Sequence, residues 1–460
     1  MEIVNDTVFN LGEEEPRFDY GVVGLGRTGY SLTDFLLSQG FSVLGADSCM
    51  QSSNVDRFIE RYPDVPILLG DSKFDLLSSC SELILSPGVD SRREIFTNIR
   101  ATGQKIKGDI EVFADYVDAP VIGITGTNGK STVTTMVSLM LEAAGLNVRC
   151  GGNLGIPAIE LIEESSPDCY VLELSSFQLD LVENLNLDVA CILNITADHL
   201  DRHESFDYYV KSKKKILKNS KCSLVNFEDK SLACFRNKLG VKGFSFNNLE
   251  KSGYGTRSID GALFLGSTSR EFLAVAELGL VGNHNYLNTI AALGIVDMYL
   301  GHVPDRAIQA LKQFRGLPHR GEVIGQKIGV EFIDDSKATN TAAAVASIFS
   351  IRSCKSLVLI AGGAAKGVSY IEFVEQVVTH LRAAVLLGET ALELKELFAD
   401  RIECVLADNM SNAVISAMDL AREGDKVLLA PACSSIDMFD DYRHRGLAFQ
   451  EAVAALGELN

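Results

Sequence analysis

Two glycine-rich loops constrain the fold of this chain more than any other feature of its sequence. The first loop, residues 24–29 (GLGRTG), follows a short apolar run at 20–23, and the second, residues 125–132 (TGTNGKST), follows one at 121–124. A helix-like pattern of apolar residues comes directly after each loop. Glycine turns between a strand and a helix bring backbone N–H groups of the helix N-terminus close to a phosphate. Both loops are therefore candidate phosphate sites.

Short apolar runs and helix-like segments alternate along the rest of the chain. We expect a helix at 285–300 and strands at 41–46, 83–85, 170–172, 190–193, 330–333, 357–360, 384–387 and 427–429. Several short strand-like runs also lie in the less apolar stretch between residues 218 and 277. Such alternation is typical of mainly parallel sheets covered by helices.

The length of 460 residues predicts about three domains. The pattern starts afresh near residues 109–120 and again near residues 317–318, so we expect domains at 1–108, 109–316 and 317–460. The predicted fold class is α/β. It comprises a Rossmann-like N-terminal domain, a central domain of the P-loop type and a Rossmann-like C-terminal domain.

The first loop matches GxGxxG, with Asp47 at the end of the next predicted strand. This combination is typical of dinucleotide sites, where the glycines allow a tight turn against a pyrophosphate. On these residues alone a nicotinamide or flavin cofactor, another nucleotide diphosphate and a purely structural turn all remain open.

The second loop has the composition of a nucleoside triphosphate site, although it is shorter than a standard Walker loop. Its backbone amides can surround the β- and γ-phosphates, Lys130 can neutralise them, and the Ser131 hydroxyl can reach Mg²⁺. We interpret the loop as an ATP site formed by Gly126, Thr127, Asn128, Gly129, Lys130, Ser131 and Thr132. An oxidoreductase needs no ATP loop, whereas a ligase acting on a nucleotide-linked substrate needs both loops.

Composition excludes some partners. Lys and Arg total 42 against 61 Asp and Glu, a net charge of −19, which argues against nucleic acid. Ten dispersed cysteines without a CxxC pair indicate reduced thiols in a cytoplasmic protein. We see no signal peptide at residues 1–17 and no run of 18 apolar residues, so we expect no membrane partner.

Three further residues are candidates for metal chemistry. Glu173 directly follows a predicted strand, where carboxylates meet Mg²⁺ held by a phosphate loop. His199, in the segment after another strand, is either a ligand or a helix-start residue. Helical spacing places Lys213 on the same stripe as Tyr209 and Ile216, unlike the neighbouring lysines. Burial favours a neutral amine, which can add CO₂ to form a carbamate; a lysine that only extends its ammonium to solvent is the alternative.

With these motifs, the segments ELSSFQL (173–179), NITADHLD (194–201) and DDSKATN (334–340) make the chain resemble the Mur ligases. These are cytoplasmic ATP-dependent amide-forming enzymes of peptidoglycan synthesis. The resemblance extends over essentially the whole chain. ELSSFQL, with GGN at 151–153 and ACSS at 432–435, is similar to the members that add D-glutamate to UDP-N-acetylmuramoyl-L-alanine.

The resemblance implies a role for each matching residue. It assigns the UDP-substrate to Gly24, Gly26, Thr28, Gly29 and Asn153. It adds Asn285, Asn288, Arg320 and Asp335 to the ATP site. It implies a D-glutamate pocket of Lys337, Thr339, Lys366 and Ser435. It implies two Mg²⁺ ions held by Ser131, Glu173, His199 and carbamylated Lys213, and it makes Lys130, His199 and Lys213 the catalytic residues.

The expected reaction passes through an acyl phosphate, in a monomer whose partners are ATP, D-glutamate and the UDP-substrate. Two places depart from the family pattern: Ser48-Cys49 after Asp47, and the loop Gly363 to Lys366. The alternatives are a nicotinamide-dependent oxidoreductase, another ATP-dependent ligase such as a folate-type enzyme or a different Mur step, and a non-catalytic nucleotide-binding regulator. Folate-type ligases generally lack a GxGxTG first domain.

Overall fold

The computed structural model describes residues 18–153, 155–163, 165–200, 202–246, 253–280, 282–351 and 355–457. The expectation about a signal peptide at residues 1–17 therefore lies outside the described residues. By internal packing the chain divides into two compact units. The first contains the chain up to Gly123 together with Val148–Asp188 and Lys215–Ser220, and the second contains Ile124–Asn147, Val189–Lys214 and the chain from Lys221 onward.

The N-terminal sheet has five parallel strands in the order β3-β2-β1-β4-β5. The strands are β1 Phe18–Val23, β2 Val43–Asp47, β3 Ile67–Leu69, β4 Cys80–Leu85 and β5 Lys105–Gly108. The helices are α1 Arg27–Ser38, α2 Ser53–Arg61, α3 Glu94–Ala101 and α4 Asp109–Tyr116. The strand order reverses between β1 and β4, and such a switch point leaves a crevice at the carboxyl ends of the strands.

The central sheet has nine strands in the order β14-β13-β12-β11-β10-β9-β6-β8-β7. Its strands are β6 Val121–Thr125, β7 Val148–Gly152, β8 Cys169–Glu173, β9 Leu187–Ile192, β10 Ser220–Asn226, β11 Val241–Phe244, β12 Gly253–Ile259, β13 Ala262–Ser267 and β14 Glu271–Ala274. The helices are α5 Lys130–Ala143, α6 Ser176–Asp180, α7 Phe206–Lys214, α8 Asn283–Leu300 and α9 Asp305–Gln313. The last two strand pairs, β12 with β13 and β13 with β14, are antiparallel.

The C-terminal sheet has six strands in the order β15-β16-β20-β17-β18-β19, and only the edge pair β15–β16 is antiparallel. Its strands are β15 Glu322–Lys327, β16 Val330–Asp334, β17 Leu357–Ala361, β18 Leu381–Leu386, β19 Glu403–Leu406 and β20 Lys426–Leu429. The helices are α10 Thr341–Ser350, α11 Ile371–Val377, α12 Ala391–Phe398, α13 Met410–Leu420 and α14 Tyr442–Ala455. Apolar clusters cover both faces of this sheet, which explains the continuous apolar strands.

The predicted α/β class is confirmed, and strand boundaries agree with expectation or differ from it by up to three residues. The nine cysteines in the described ranges are free thiols, and Cys354 lies outside those ranges. None of the helices that the structure describes is both long enough and apolar enough to span a membrane.

Candidate active site

A cavity of about 500 Å³ lies at the switch point of the N-terminal sheet. One wall is the glycine loop after β1, and another is the turn Ser86-Pro87-Gly88 after β4. Four of the five residues assigned to the UDP-substrate line this cavity, namely Gly24, Gly26, Thr28 and Asn153. Other lining residues include Arg27, Asp47, Ser48, Phe74, Asp90, Arg93 and Gln178.

Glycine stands at three positions of the first loop for three different structural reasons. Gly24 has φ +90°, and a Cβ there would lie 2.7 Å from a methyl group of Val89. A Cβ on Gly29 would overlap the carbonyl oxygen of Gly24, so this glycine allows helix α1 to start against the turn. A Cβ added to Gly26, by contrast, would meet no protein atom within 4 Å, so the missing side chain of this glycine leaves room in the cavity itself.

Asp47 secures the first loop through backbone amides. Its Oδ2 accepts from the Leu25 N–H (2.8 Å) and its Oδ1 accepts from the Cys49 N–H (2.9 Å). In NAD-binding domains the equivalent acid accepts from ribose hydroxyls. In this chain Oδ2 holds the first loop and Oδ1 holds the backbone that follows β2, so both oxygens already accept a hydrogen bond from the protein.

The far side of the cavity carries an ordered amide and carboxylate pair. Asn153 donates from Nδ2 to Glu173 Oε1 (2.6 Å) and from its backbone N–H to the Glu173 carbonyl (2.8 Å). Gln178 is fixed at both ends: its Oε1 accepts from the Ser175 N–H (3.0 Å), and its Nε2 donates to Asp109 Oδ2 (2.8 Å). Burial raises the pKa of Asp109 to about 6.

The second loop packs against a side chain from a distant helix. Gly129 has φ +83°, and a Cβ there would overlap the side-chain oxygen of Asn288. Lys130 donates to the carbonyls of Gly126 (2.9 Å) and Thr127 (2.9 Å), so its ammonium lies across the loop. Asn288, predicted from sequence for the ATP site, therefore packs directly on the phosphate loop.

Lys213 reaches the same loop from helix α7. Its side chain is 1% exposed, and Nζ donates to the Gly126 carbonyl at 2.8 Å while lying 4.7 Å from the centre of the Tyr209 ring. Tyr209 and Ile216 are buried as the helical spacing predicted, whereas Lys211 is exposed. The expectation that one lysine of this run points inward is confirmed.

Arg320 brings the start of the C-terminal region to the phosphate loop. Its guanidinium donates to the Ser131 hydroxyl at 2.7 Å. Asp335 lies close enough for the Arg320 charge to act on it, although burial is the larger effect and raises the pKa of Asp335 to about 6. Asn285 lies in the first turn of α8, where its carbonyl accepts from the Thr289 hydroxyl.

His199 has an acidic neighbour that the sequence interpretation left without a role. Asp198 is 5% exposed; its Oδ1 accepts from Lys366 Nζ (2.9 Å) and from the His199 N–H (2.9 Å). Its Oδ2 accepts from Asn340 Nδ2 (3.0 Å). Burial alone would raise the pKa of Asp198, but the charges of Lys366 and His199 hold it below its ordinary value.

Three loops at adjacent carboxyl ends of the C-terminal sheet carry the residues assigned to D-glutamate. Lys337 and Thr339 follow β16, Lys366 follows β17 and Ser435 follows β20. The last two loops are joined by reciprocal backbone hydrogen bonds between Ala364 and Ser434 (3.0 and 3.2 Å). Lys337 Nζ lies 4.0 Å from the centre of the Tyr442 ring.

Arg445 links two of these loops through hydrogen bonds, and the sequence analysis did not predict its role. The side chain is 1% exposed and donates to the Ser336 hydroxyl (3.0 Å), to the Ser336 carbonyl (2.8 Å) and to the carbonyls of Cys433 and Ser434 (both 3.2 Å). Burial lowers the pKa of Arg445 to about 10. An arginine inside helix α14, whose partner Ser336 lies 109 positions earlier, gives no local signal in the sequence.

Three non-glycine residues beside the site have left-handed backbone conformations: His199 (φ 54°), His319 (φ 61°) and Ala432 (φ 61°). Each such residue costs of order 1–3 kcal/mol, and such strain is concentrated at functional sites. His319 directly precedes Arg320, and Ala432 opens the loop that contains Ser435.

In the parts of the chain that the structure describes, one group of side chains has the proximity of a metal site: His319, Glu322 and Asp334. His319 Nδ1 and Asp334 Oδ2 are 2.7 Å apart, and Gln450 donates to the same oxygen (3.0 Å). The Asp334 carboxylate is therefore already hydrogen-bonded within the protein, to Gln450 and to the residue that directly precedes Arg320. The group shares no member with the predicted ligands.

Family models match three consecutive parts of the chain. They are the Mur ligase MurD-like N-terminal domain at residues 19–108, the Mur ligase middle domain at residues 124–296 and the Mur ligase glutamate ligase domain at residues 319–433.

Two relatives are each named UDP-N-acetylmuramoylalanine–D-glutamate ligase. The one from Marinobacter nauticus is 40% identical over 437 residues, covering 95% of this chain and 98% of the relative. The one from Pseudomonas syringae pv. tomato is 39% identical over 442 residues, covering 95% of this chain and 97% of the relative.

Solved structures show the same fold at lower identity. A pseudomurein peptide ligase from Methanothermus fervidus has a TM-score of 0.63 and 19% identity, covering 95% of this chain and 100% of its own. A UDP-N-acetylmuramate-alanine ligase from Thermotoga maritima has a TM-score of 0.61 and 18% identity, covering 96% and 100%. With the three family models matching in order along its length, the chain belongs to the Mur ligase family.

Proposed function

We propose that this protein is an ATP-dependent ligase that joins D-glutamate to UDP-N-acetylmuramoyl-L-alanine, releasing ADP and phosphate. The observation that carries the proposal is the convergence of three basic residues on the second loop. Lys130 and Lys213 both donate to the Gly126 carbonyl, and Arg320 donates to Ser131. A chain that also has a separate cavity on a GxGxxG loop can activate one nucleotide while holding another.

The first chemical step uses the second loop. A carboxylate oxygen of the L-alanyl group attacks the γ-phosphorus of ATP, the bond to the β,γ-bridging oxygen breaks, and ADP leaves. Lys130 and Arg320 stabilise the negative charge that develops on the transferred phosphoryl oxygens. The product is an acyl phosphate, whose carbonyl carbon is a far better electrophile than a carboxylate.

The second step uses the loops of the C-terminal sheet. The neutral D-glutamate amine attacks the acyl carbon, the carbon–oxygen bond to phosphate breaks, and the nitrogen keeps one hydrogen in the amide while its other proton passes to the released phosphate. We assign Lys337 and Lys366 to the two carboxylates of the amino acid, with Thr339 and Ser435 as hydroxyl donors. Exclusion of water protects the acyl phosphate from hydrolysis.

Mg²⁺ fits the donor set that the family resemblance assigns. Ser131 offers a hydroxyl and Glu173 a buried carboxylate, which are the oxygen ligands that Mg²⁺ prefers, and His199 offers an imidazole. Lys213 would become an oxygen ligand as a carbamate. We propose two ions held by these four residues; bound there, Mg²⁺ supplies charge neutralisation of the phosphate oxygens.

The carbamate on Lys213 forms when the neutral amine adds to CO₂ and loses a proton. Burial of this side chain supports the proposal, since burial disfavours the charged ammonium. The neighbouring Lys211 is exposed and lacks this environment.

The domain boundaries proposed are 1–108, 109–316 and 317–460, with the UDP-substrate, ATP and the amino acid as their respective ligands. We further propose a monomer acting in the cytoplasm, where ATP and UDP-linked precursors are made.

The decisive experiment is a phosphate-release assay with UDP-N-acetylmuramoyl-L-alanine, ATP, Mg²⁺ and a panel of amino acids. We expect D-glutamate to support release, whereas L-alanine and diamino acids do not. Activity with one of those instead of D-glutamate would contradict the substrate assignment. Oxygen-18 in the substrate carboxylate should appear in the released phosphate, and its absence there would contradict the acyl phosphate.

The carbamate has its own test. Lys213→Ala should reduce turnover nearly completely, and a short carboxylate such as acetate should restore part of it. Lys211→Ala, at the exposed lysine of the same helix, is the matched control and should keep full activity. Full activity of Lys213→Ala without added carboxylate would refute the role.

A further inference from the structure

A network of side-chain amides and acids joins the second glycine loop to the loops of the C-terminal sheet. Its members come from four separate segments: Asn128 from the phosphate loop, Asp198 from the loop after β9, Asn340 from the start of α10 and Lys366 from the loop after β17. Asp198, Asn340 and Lys366 are each less than a tenth exposed. Buried polar groups of this kind hold fixed orientations because every unmade hydrogen bond is costly.

Asn340 is the centre of this network and uses its whole hydrogen-bonding capacity. Its Oδ1 accepts from the Ala343 N–H (2.9 Å) and from Asn128 Nδ2 (3.3 Å). Its Nδ2 donates to Asn128 Oδ1 (3.0 Å) and to Asp198 Oδ2 (3.0 Å). The backbone N–H of Ala343 must face an oxygen, and that contact fixes which end of the amide faces Asp198.

Capping of the helix does not explain this residue. Asp, Ser or Thr would cap α10 as well as Asn does, and none of them offers two N–H donors. The two donors of Asn340 serve Asn128 and Asp198 instead. On its other oxygen, Asp198 holds the ammonium of Lys366 at 2.9 Å.

We propose that Asn340 is a positioning residue that couples the phosphate loop to the amino-acid site. Through Asp198 it orients the Lys366 ammonium, and through Asn128 it ties that orientation to the loop that holds ATP. The inference rests on the proposed function only for the identity of the amino acid that Lys366 binds.

The test compares two substitutions of Asn340, both of which keep an N-cap for helix α10. Asn340→Ser keeps a capping oxygen without adding charge, and Asn340→Asp keeps the cap but places a second carboxylate against Asp198. Both should raise the KM for D-glutamate at saturating ATP, by about tenfold for Ser and more for Asp, since each loses the hydrogen bond that Asn340 donates to the Asp198 carboxylate. The KM for the UDP-substrate should stay within twofold in both.

Asn409→Asp is the matched control. Asn409 is exposed and caps α13 through the Asn412 N–H (2.9 Å), so the same chemical change occurs at a cap without a network. This variant should leave all KM values unchanged. A variant of Asn340 that changes all KM values equally, or only lowers the fraction of active protein, would overturn the proposal.

A double-mutant cycle distinguishes coupling between Asn128 and Asn340 from two separate structural effects. Asn128→Ala and Asn340→Ala should each raise the amino-acid KM, and the double variant should raise it no further than the larger single effect. Independent effects would overturn the coupling. If the wild-type protein uses another amino acid, the proposed substrate fails, while the cycle run with that amino acid still decides the role of Asn340.

Discussion

The two glycine loops use one backbone arrangement for different chemistry. In both, a buried strand enters a turn with a left-handed glycine, Gly24 or Gly129, and a helix begins directly afterwards. The first loop is held through its backbone, by Asp47 accepting from the Leu25 N–H and by Ser86 donating to the Gly24 carbonyl. The second is surrounded by side chains from distant segments, including Lys213 and Arg320.

The different contacts of the two loops match two different tasks, binding a phosphate and transferring one. Backbone amides are sufficient to bind a diphosphate, because they supply fixed donors and the helix N-terminus supplies positive potential. Phosphoryl transfer also needs charge placed where it develops in the transition state. In the proposed reaction, Lys130 and Arg320 on the second loop supply that charge.

The largest expected effect comes from a substitution in the second loop that leaves the first loop unchanged. Lys130→Ala should reduce turnover roughly 10³-fold, because it removes a cation from the transferred phosphate. Binding of UDP-N-acetylmuramoyl-L-alanine, measured by calorimetry, should be unchanged. A loss of both turnover and substrate binding in a folded variant would mean that the loops do not act separately, and Lys211→Ala serves as the control.

The close approach of Gly129 to Asn288 can be tested by adding a methyl group at position 129. Gly129→Ala places a side chain at a left-handed position and against Asn288, so we expect turnover to fall roughly 100-fold with a raised KM for ATP. Gly40→Ala is the control, because Gly40 has φ +82° but no atom within 4 Å of the added Cβ. It should lower only the melting temperature.

A pH measurement examines Asp109, the buried acid that accepts from Gln178 in the wall of the first cavity. The pKa of Asp109 is about 6 in the folded protein against 3.8 as the ordinary value, so its contribution to stability is present at low pH and is lost as pH rises through 6. Between pH 4.5 and 7.5 this amounts to about 2 kcal/mol. Asn at this position does not titrate.

The difference in unfolding free energy between wild type and Asp109→Asn should therefore change by that amount between the two pH values in urea titrations. Asp75→Asn, at an exposed carboxyl, is the control. A difference that does not depend on pH would show that Asp109 titrates normally.

The smallest effect concerns the anchor of the first loop. Asp47→Asn loses one of two charged acceptors for backbone amides, so the KM for the UDP-substrate should rise about tenfold or less. The KM for ATP should not change. Gain of NADH binding, or an equal change in both KM values, would contradict the role of Asp47 as an internal loop anchor.

The sequence was sufficient for the α/β class, the two loops and the inward direction of Lys213, because all three depend on local patterns. It was insufficient for Asp198, Asn340 and Arg445. Their roles depend on contacts between segments more than 100 residues apart, such as Asn128 with Asn340 and Ser336 with Arg445. A buried polar residue within a helix or loop has no period or spacing that indicates its distant partner.

The left-handed residues His199, His319 and Ala432 have a consequence for engineering. Glycine at each position would relieve backbone strain but would also raise the entropy of the unfolded chain, and at His319 it would remove the hydrogen bond to Asp334. The same changes would release the segments that carry Asp198, Arg320 and Ser435. A variant library at these three loops should therefore be sorted on melting temperature and on turnover as separate properties.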